Sequence, residues 1–380
     1  MLTRSGWAVA VAAVALLVAA AVLGYPELAV LGYAGLFALL AAGLWMLARP
    51  QLVARREIRP NRVTAGDEAV GVLTVTNQMN RRSPPVSVTE SVDGRSVGVP
   101  VPSLAARESH LSGYPLPTDR RGVYQVGPLT VGHADPLRLM EVAKRFGEVS
   151  TLWVHPLVDT VYPLPTGRSQ DQDGPTSSVA PQGGIAFHSL REYVPGDDWR
   201  LIHWKSSART GQLMVRHNVV PNEPRLMIVL DTSVAAYDDE SFEHAVRAAA
   251  SLSVAALRAG FPLELRTTGG EVTVAEEDGP GRTSVLDLLA AVRLDPADRG
   301  LAALPALVPE QSAVSLGVVT GRPAQAELAV LPMIRPRFLM LSLVQFAATF
   351  QAETRLPGVV SVAATSPAEF ALAWNELVRR

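Results

Sequence analysis

The 380-residue sequence contains no cysteine, which excludes a disulfide framework, a thiolate metal site and a thiol nucleophile. It also lacks a P-loop, a His-Glu-x-x-His sequence, a Gly-x-Ser-x-Gly turn and a dinucleotide-binding glycine pattern. The formal net charge is −2, and residues 49–230 carry 21 basic against 17 acidic side chains. That excess is too small to indicate nucleic-acid binding, so no nucleic-acid partner is expected.

Two long apolar runs open the chain, 17 residues over 7–23 and 21 residues over 28–48. Because about 20 apolar residues cross a bilayer, residues 1–50 are predicted to form a transmembrane helical hairpin. Basic residues flank the hairpin on the same side, namely Arg4 before it and Arg49, Arg55, Arg56, Arg59 and Arg62 after it. The positive-inside bias then predicts a multi-pass cell-membrane protein whose large soluble part is cytoplasmic. A cleaved signal peptide is the alternative for the first run, but the second run follows at once and ends in a basic stretch.

Residues 51–165 contain short segments in which apolar and polar residues alternate, separated by Gly, Pro and Asn. Clear examples are 69–76, 86–92 and 150–154. Alternation of period two with frequent turns is typical of an antiparallel sandwich, so we predict an all-β immunoglobulin-like domain of about seven strands. No catalytic group is visible in this region.

Residues 166–224 combine an exposed Gly/Ser/Pro-rich loop with a polar segment over 191–216 that mixes charged and aromatic residues. One interpretation is a half-buried ion-pair network, and the other is a recognition surface of arginine forks and aromatic faces. Because desolvation of a buried pair roughly cancels its Coulomb gain, partner recognition is the better reason for such a segment. The candidate protein-binding residues are Arg191, Glu192, Tyr193, Gly196, Asp197, Arg200, Trp204, Lys205 and Arg209. The charged members Arg191, Glu192, Asp197, Arg200 and Arg209 are expected to pair locally.

Residues 225–380 alternate apolar strand patterns with amphipathic helix patterns. After Arg225 the run 226–230 is continuously apolar, as in a strand covered on both faces, and a helical pattern follows it. Such alternation predicts a mainly parallel, doubly wound α/β sheet. Ligands bind such sheets at the carboxyl ends of the strands, and Asp231 lies at one of these ends.

The polar segment resembles the signature of the domain-of-unknown-function 58 family. From Arg191 it reads Arg-Glu-Tyr-x-x-Gly-Asp-x-x-Arg-x-Ile-x-Trp-Lys-x-x-Ala-Arg-Thr-Gly-x-Leu. The upstream runs Arg121-Gly122-Val123-Tyr124 and Asp135-Pro136-Leu137 and the two opening hydrophobic helices are similar to that family as well. The resemblance supplies no activity. It implies partnership with a MoxR-type AAA+ ATPase, an association with transglutaminase-like membrane proteins, and a cell-envelope function.

The run 225–233 is similar to the first strand and loop of a von Willebrand factor type A domain. In that family a divalent cation is held by Asp-x-Ser-x-Ser, a later Thr and a later Asp. Asp231 and Ser233 match, Ala235 replaces the second serine, and no acid stands at 320–322. Either Thr267 or Thr268 could supply the threonine. The resemblance therefore implies a degenerate Mg²⁺ site, with a metal-free interaction face as the other interpretation.

Three functions follow from these observations. The leading one is a membrane-anchored, non-enzymatic interaction or assembly factor, without a cofactor. The second is a Mg²⁺-dependent protein-binding module. The third is an unrecognised hydrolase that would use His203 with Asp197 or Asp198 and a serine, either Ser206 or Ser207.

Overall fold

The computed structural model describes residues 2–47, 51–84, 86–166, 187–194, 199, 202–218, 225–238, 240–276, 281–308, 314–349 and 356–379, with only the backbone at 187–191 and 216–218. Contacts divide the chain into two compact units. The first comprises Met1–Leu157 with Leu286–Val292, and the second comprises Val158–Val285 with Arg293–Arg380. This division falls earlier than the domain boundary predicted at 165.

The two apolar runs form helices α1 (Arg4–Leu23) and α2 (Pro26–Met46). The Thr3 side chain caps α1 by accepting a hydrogen bond from the Gly6 N–H, and Gly24 ends it in the left-handed conformation. Both helices are long and apolar enough to cross a membrane. They pack through small residues, since a Cβ on Gly32 would lie 2.6 Å from the Leu17 side chain. The two predicted apolar helices are confirmed.

The first unit continues as β structure in two sheets. A three-stranded antiparallel sheet has the order β1-β3-β6, and a larger sheet has the order β2-β9-β7-β4-β5 with β8 paired to β7. The strands are β1 (Leu52–Arg59), β2 (Arg62–Thr64), β3 (Val70–Asn77), β4 (Ser87–Val92), β5 (Arg95–Val99), β6 (Ser109–Pro115), β7 (Gly122–Ala134), β8 (Glu141–Phe146) and β9 (Ser150–His155). Inward side chains of both sheets form one hydrophobic cluster that includes Leu73, Val88, Tyr114 and Leu152.

The alternation of apolar and polar residues in the sequence predicted β3, β4 and β9, but it did not predict β1. In β1 the burial of the side chains partly alternates in the structure, but four of its eight residues are charged, so the sequence shows no apolar–polar alternation there. Its Arg56 side chain is nevertheless buried, because it pairs with the fully buried Glu90 of β4. A buried charge in the pattern therefore concealed this strand.

The second unit contains a six-stranded sheet of order β14-β13-β12-β15-β16-β17, parallel except for the edge strand β14. Its strands are β12 (Arg225–Leu230), β13 (Leu263–Thr267), β14 (Val272–Ala275), β15 (Val314–Thr320), β16 (Leu341–Phe346) and β17 (Val360–Ala364). The helices of this unit are α4 (Ser241–Arg258), α6 (Leu304–Leu307), α7 (Gln325–Leu328), α8 (Val330–Ile334) and α9 (Pro367–Arg379). Helix α5 (Gly281–Ala291) begins in this unit, and its residues from Leu286 onward are grouped with the first unit. The prediction of an α/β region with a mainly parallel sheet is confirmed.

The segment 158–164 packs on the second unit, which explains the early division. Asp159 forms a bidentate ion pair with Arg247 of α4, with N–O distances of 2.7 and 2.6 Å. Leu164 is buried and fills the space beside Gly317, where a Cβ would meet it at 2.8 Å. This segment was predicted as the end of the β domain; it instead covers the α/β sheet.

Candidate functional site

The polar segment folds as an antiparallel pair of strands with a short helix between them. Strand β10 (Phe187–Glu192) pairs with β11 (Met214–Asn218), and helix α3 (Trp204–Thr210) precedes β11. Of the candidate residues, Gly196, Asp197 and Arg200 lie outside the described residues, and Arg191 is described by its backbone alone. Glu192 is exposed at the end of β10, and Tyr193 follows it half-buried.

Helix α3 is held in place by short-range hydrogen bonds. At its start the His203 ring accepts from the Ser206 N–H at 3.3 Å, and at its end Gly211 adopts φ 75°. The buried Ser207 hydroxyl accepts from the Met214 N–H at 2.8 Å and donates to the His203 carbonyl at 3.2 Å. Ser207 therefore connects the helix to β11, while the rest of the helix is free to face outward.

The outward face of this segment carries large apolar and cationic side chains. Trp204 is 65% exposed and Trp199 is 68% exposed, and Lys205 and Arg209 are exposed on α3. No carboxylate among the described residues forms an ion pair with Arg209, so the expected local pairing is not found for it there. Pairing that involves Arg191, Asp197 or Arg200 stays a prediction, because those side chains are outside the description. Tryptophan and arginine are among the residue types that are enriched at the energetically important positions of protein interfaces.

The residues suggested for a hydrolase are only partly brought together. The His203 Nδ1 atom lies 2.8 Å from the Ser206 Oγ atom. The two residues are three apart at the start of α3, and the same His203 atom caps the helix, so the contact is explained by capping. Ser207 is engaged with β11, and Asp197 and Asp198 lie outside the described residues.

A second polar cluster lies at the carboxyl ends of the central strands of the α/β sheet. Asp231 follows β12 and is fully buried. Its Oδ1 atom accepts from the Ser233 N–H at 2.9 Å and from the Ser233 hydroxyl at 2.7 Å, and its Oδ2 atom accepts from the Thr320 hydroxyl at 2.7 Å. Burial raises the pKa of the Asp231 carboxyl, and the hydrogen bonds from Ser233 and Thr320 oppose that rise.

Asp298 is a member of this cluster that sequence reasoning missed. Its Oδ2 atom accepts from the Thr232 hydroxyl at 2.6 Å and from the Thr268 hydroxyl. Thr268 also lies 3.4 Å from Asp231 Oδ1, whereas the Thr267 hydroxyl is used locally by the Glu271 N–H. Thr268, rather than Thr267, is therefore the threonine at the site. Asp298 follows α5 in a loop with no strand pattern before it, and nothing in the sequence tied it to Asp231.

The donor set of this cluster consists of oxygen atoms. It offers two carboxylates, Asp231 and Asp298, with hydroxyls from Ser233, Thr268 and Thr320. Oxygen ligands of this kind suit a hard cation such as Mg²⁺. No group of three or more Asp, Glu or His side chains suitable for a metal occurs among the described residues, so water would complete any coordination shell. The residues fit a weak Mg²⁺ site and equally fit a hydrogen-bonded loop anchor.

Comparisons with known proteins find a family match over part of the chain. Residues 189–320, which include the polar segment and Asp231, match the family model described as "Protein of unknown function DUF58". The uncharacterized protein YeaD of Bacillus subtilis (strain 168) is 26% identical over 195 residues, which are 50% of this chain and 48% of YeaD. The chain thus spans about half the length of the curated relative it matches.

Two solved structures are similar to parts of the chain at low TM-scores. One is the CARDB domain of a Pyrococcus furiosus protein, crystallised in complex with di-metal ions, with 18% identity, a TM-score of 0.22 and coverage of 29% of this chain and 96% of that one. The other is a domain from Methanosarcina acetivorans described as belonging to a cell surface protein, with 23% identity, a TM-score of 0.19 and coverage of 28% and 91%. Neither bears on the function of this chain at such scores.

The fold and the polar segment define a class of protein with two membrane-length apolar helices, β sheets and an α/β region that carries the signature strands. The family match and the relative show that residues 189–320 are similar to the DUF58-type family.

Proposed function

We propose that this protein is a membrane-anchored, non-enzymatic interaction factor. Helices α1 and α2 form a multi-pass anchor in the cell membrane, and the large soluble part lies in the cytoplasm. The basic residues on one side of the hairpin support this orientation. One of these basic residues, Arg56, also forms a buried ion pair with Glu90.

The observation that carries the proposal is the exposed face of α3. A helix of seven residues that buries only Ser207 leaves Trp204 almost two-thirds exposed, with Lys205 and Arg209 beside it. Burial of a large apolar side chain contributes roughly 1.5–3 kcal/mol, and tryptophan is enriched among the residues that dominate binding at protein interfaces, so a partner that covers Trp204 would gain affinity from it. The cations add selectivity for a partner that presents carboxylates.

The partner that we propose is a MoxR-type AAA+ ATPase, in a process of the cell envelope that also involves a transglutaminase-like membrane protein. This identity rests on the family resemblance of the signature. The chemistry of the surface supports it only to the extent that a tryptophan with flanking cations suits an acidic, apolar-lined protein groove.

We further propose that the β part is an immunoglobulin-like sandwich and that the second unit is a von Willebrand A-like domain. The shared cluster between two antiparallel sheets supports the first. The sheet order β14-β13-β12-β15-β16-β17, with one antiparallel edge strand, supports the second.

Affinity purification of the tagged full-length protein from native membranes tests the partner surface. Wild type and the Trp204→Ala variant are compared by quantitative mass spectrometry. Loss of a hot-spot tryptophan costs about 2 kcal/mol or more, so the variant should bind the ATPase at least about 25-fold more weakly than wild type. Less ATPase should therefore be recovered with the variant. Leu372→Ala is the matched control, because Leu372 is 70% exposed on α9 of the same unit.

Equal recovery with wild type and Trp204→Ala would remove α3 from the partner surface. Equal loss with Leu372→Ala would show that any exposed apolar residue matters, which contradicts a specific surface. Unchanged exchange of the β12 and β15 amides in each variant confirms that the second unit remains folded.

A second candidate function is Mg²⁺-dependent protein binding through the Asp231 cluster. The observation that favours it is Asp298, which supplies a second carboxylate where the sequence offered none. When bound, Mg²⁺ would draw on Asp231, Ser233 and Asp298 and would offer an open position to a carboxylate of a partner.

Thermal unfolding of the full-length protein in detergent, with and without Mg²⁺, tests this candidate. At a Mg²⁺ concentration of 100 times Kd, binding would stabilise the native state by about 2.7 kcal/mol. Asp298→Asn should abolish that gain, and Glu240→Gln, a change at an exposed acid before α4, should keep it. No stabilisation of wild type by Mg²⁺ would leave the cluster as a loop anchor.

A further inference from the structure

The turn between β7 and β8 is in direct contact with the first membrane-length helix. The Thr3 N–H donates to the Leu139 carbonyl at 2.9 Å, and the Thr3 hydroxyl donates to the Arg138 carbonyl at 2.7 Å. A Cβ on Gly6 would lie 2.1 Å from the Leu139 carbonyl oxygen, so the two backbones approach as closely as glycine allows. The turn formed by residues 135–140, named here the 135–140 turn, is therefore fixed at the N-terminal end of α1.

The buried Asp135 gives this turn a defined shape. Its Oδ2 atom accepts from the Leu137 N–H at 2.9 Å, and its Oδ1 atom accepts from the Met140 N–H at 2.6 Å. Arg138 adopts φ 52°, a left-handed conformation that a non-glycine residue takes only where neighbours impose it. The result is that Leu137, which is 62% exposed, and Arg138 are presented at the surface on a rigid loop.

The 135–140 turn contacts α1 close to the ends of both apolar helices that carry tryptophan and arginine side chains. Arg4 and the exposed Trp7 lie in the first turn of α1, and Trp45 lies in the last turn of α2. Trp and Arg at the end of an apolar helix mark the layer of lipid headgroups. Thr3 precedes Trp7 by four residues, or about 6 Å along the helix, so the 135–140 turn falls within that layer.

We propose that the 135–140 turn is a lipid-binding site of the soluble part. Leu137 enters the boundary between headgroups and acyl chains, and the Arg138 guanidinium binds the phosphates of anionic lipids. This inference rests on the proposed insertion of α1 and α2, and its consequence is that the β part is seated on the bilayer rather than tethered loosely to it.

Because the chain contains no cysteine, a single introduced cysteine can be labelled at a chosen position. Leu137→Cys in the full-length protein is labelled with a polarity-sensitive fluorophore and reconstituted into vesicles of phosphatidylcholine and phosphatidylglycerol. The label at position 137 should shift to the blue and be quenched by lipids that carry a quencher near the headgroup. Val149→Cys is the matched control, because Val149 is exposed beyond the other end of β8, about 20 Å away by strand length, and its label should report water.

Arg138→Glu in the Leu137→Cys background tests the charge. In the labelled Leu137→Cys protein the blue-shifted fraction should rise with phosphatidylglycerol content. The added Arg138→Glu change should remove about a five-fold preference for the anionic vesicles, the factor that corresponds to about 1 kcal/mol per basic side chain. Vesicle flotation after an alkaline wash reports insertion of the helices separately. A water-like label at 137 in protein that still floats would overturn the lipid site alone. Protein that no longer floats would overturn the membrane anchor and the lipid site together.

Discussion

The buried Arg56–Glu90–Tyr114 cluster allows a sharp test of what holds the two sheets of the β part together. The Glu90 side chain is completely buried and accepts hydrogen bonds from Arg56 of β1 and from Tyr114 of β6. Arg56 also donates to the Glu148 carbonyl at 2.5 Å and to the Ser150 hydroxyl at 2.7 Å. Burial and the neighbouring Glu90 raise the pKa of Tyr114, so its hydroxyl stays protonated as a donor. One carboxylate thus connects strands of both sheets.

Glu90→Gln should destabilise the β part severely. The change leaves the Arg56 guanidinium, whose side chain is 7% exposed, without a counter-charge. Removal of one partner of a buried pair typically costs about 3–5 kcal/mol. At 1.4 kcal/mol per decade, the amides of β1, β4 and β6 should then exchange roughly 10² to a few times 10³ faster.

Hydrogen–deuterium exchange with mass spectrometry on the full-length protein in detergent gives this measurement for each strand. The amides of β12 and β15 in the second unit are an internal control, because the cluster lies wholly in the first unit. Tyr114→Phe gives a graded comparison. It removes one hydrogen bond to a charged group, so its expected cost is smaller, about 1.5–3 kcal/mol.

The triple variant Arg56→Met, Glu90→Met, Tyr114→Phe separates charge pairing from packing. It replaces the cluster with apolar groups of similar volume, which is usually neutral or stabilising. Exchange close to wild type in the triple variant and fast exchange in Glu90→Gln would support the reasoning. If Glu90→Gln exchanged within about five-fold of wild type, the pair would contribute little and the argument would be refuted.

Two further predictions concern the second unit. Ser207→Ala removes the acceptor of the Met214 N–H and should cost about 1–3 kcal/mol, seen as faster exchange of α3 and β11 but not of β12; Ser206→Ala, which keeps that hydrogen bond, is its control. Hydrogen bonds from the Thr365 N–H and hydroxyl hold the pKa of Glu369 below its ordinary 4.5. The ionised Glu369 carboxylate therefore stabilises α9 above about pH 4.5, and this stabilisation is lost as the pH falls through the lowered pKa. Glu369→Gln should therefore speed exchange in the first turn of α9 at neutral pH, and the difference from wild type should vanish in acid; a difference that is independent of pH would contradict this.

Regular elements were predictable where the pattern is local. The apolar runs that became α1 and α2, the alternating stretches that became β3 and β4, and the apolar strand β12 all depend on residues adjacent in the chain. Periodicity reports how a segment buries itself, and that information is carried within the segment. Strand β1 was not predicted because an arginine in a sequence indicates an exposed position. Arg56 is buried only because the fold places Glu90 opposite it.

The candidate site shows the same division. Asp231 and Ser233 were predictable because they follow an apolar strand that ends at the ligand-binding edge of a parallel sheet. Asp298 was not, because it is joined to Asp231 only through the fold of the loop after α5. The polar segment was predictable as a signature, whereas the exposure of Trp204 depended on the short helix that His203 and Ser207 hold in place.

By itself, the sequence determined the apolar hairpin, the order of β and α/β regions and the family of the polar segment, because these properties depend on composition and on near neighbours. The tertiary structure alone decided that Glu90 joins two sheets, that Asp298 meets Asp231, and that the 135–140 turn lies against Thr3. Each of these contacts joins residues far apart in sequence. Their partners are selected by burial and hydrogen-bond satisfaction in the folded chain, which no local pattern records.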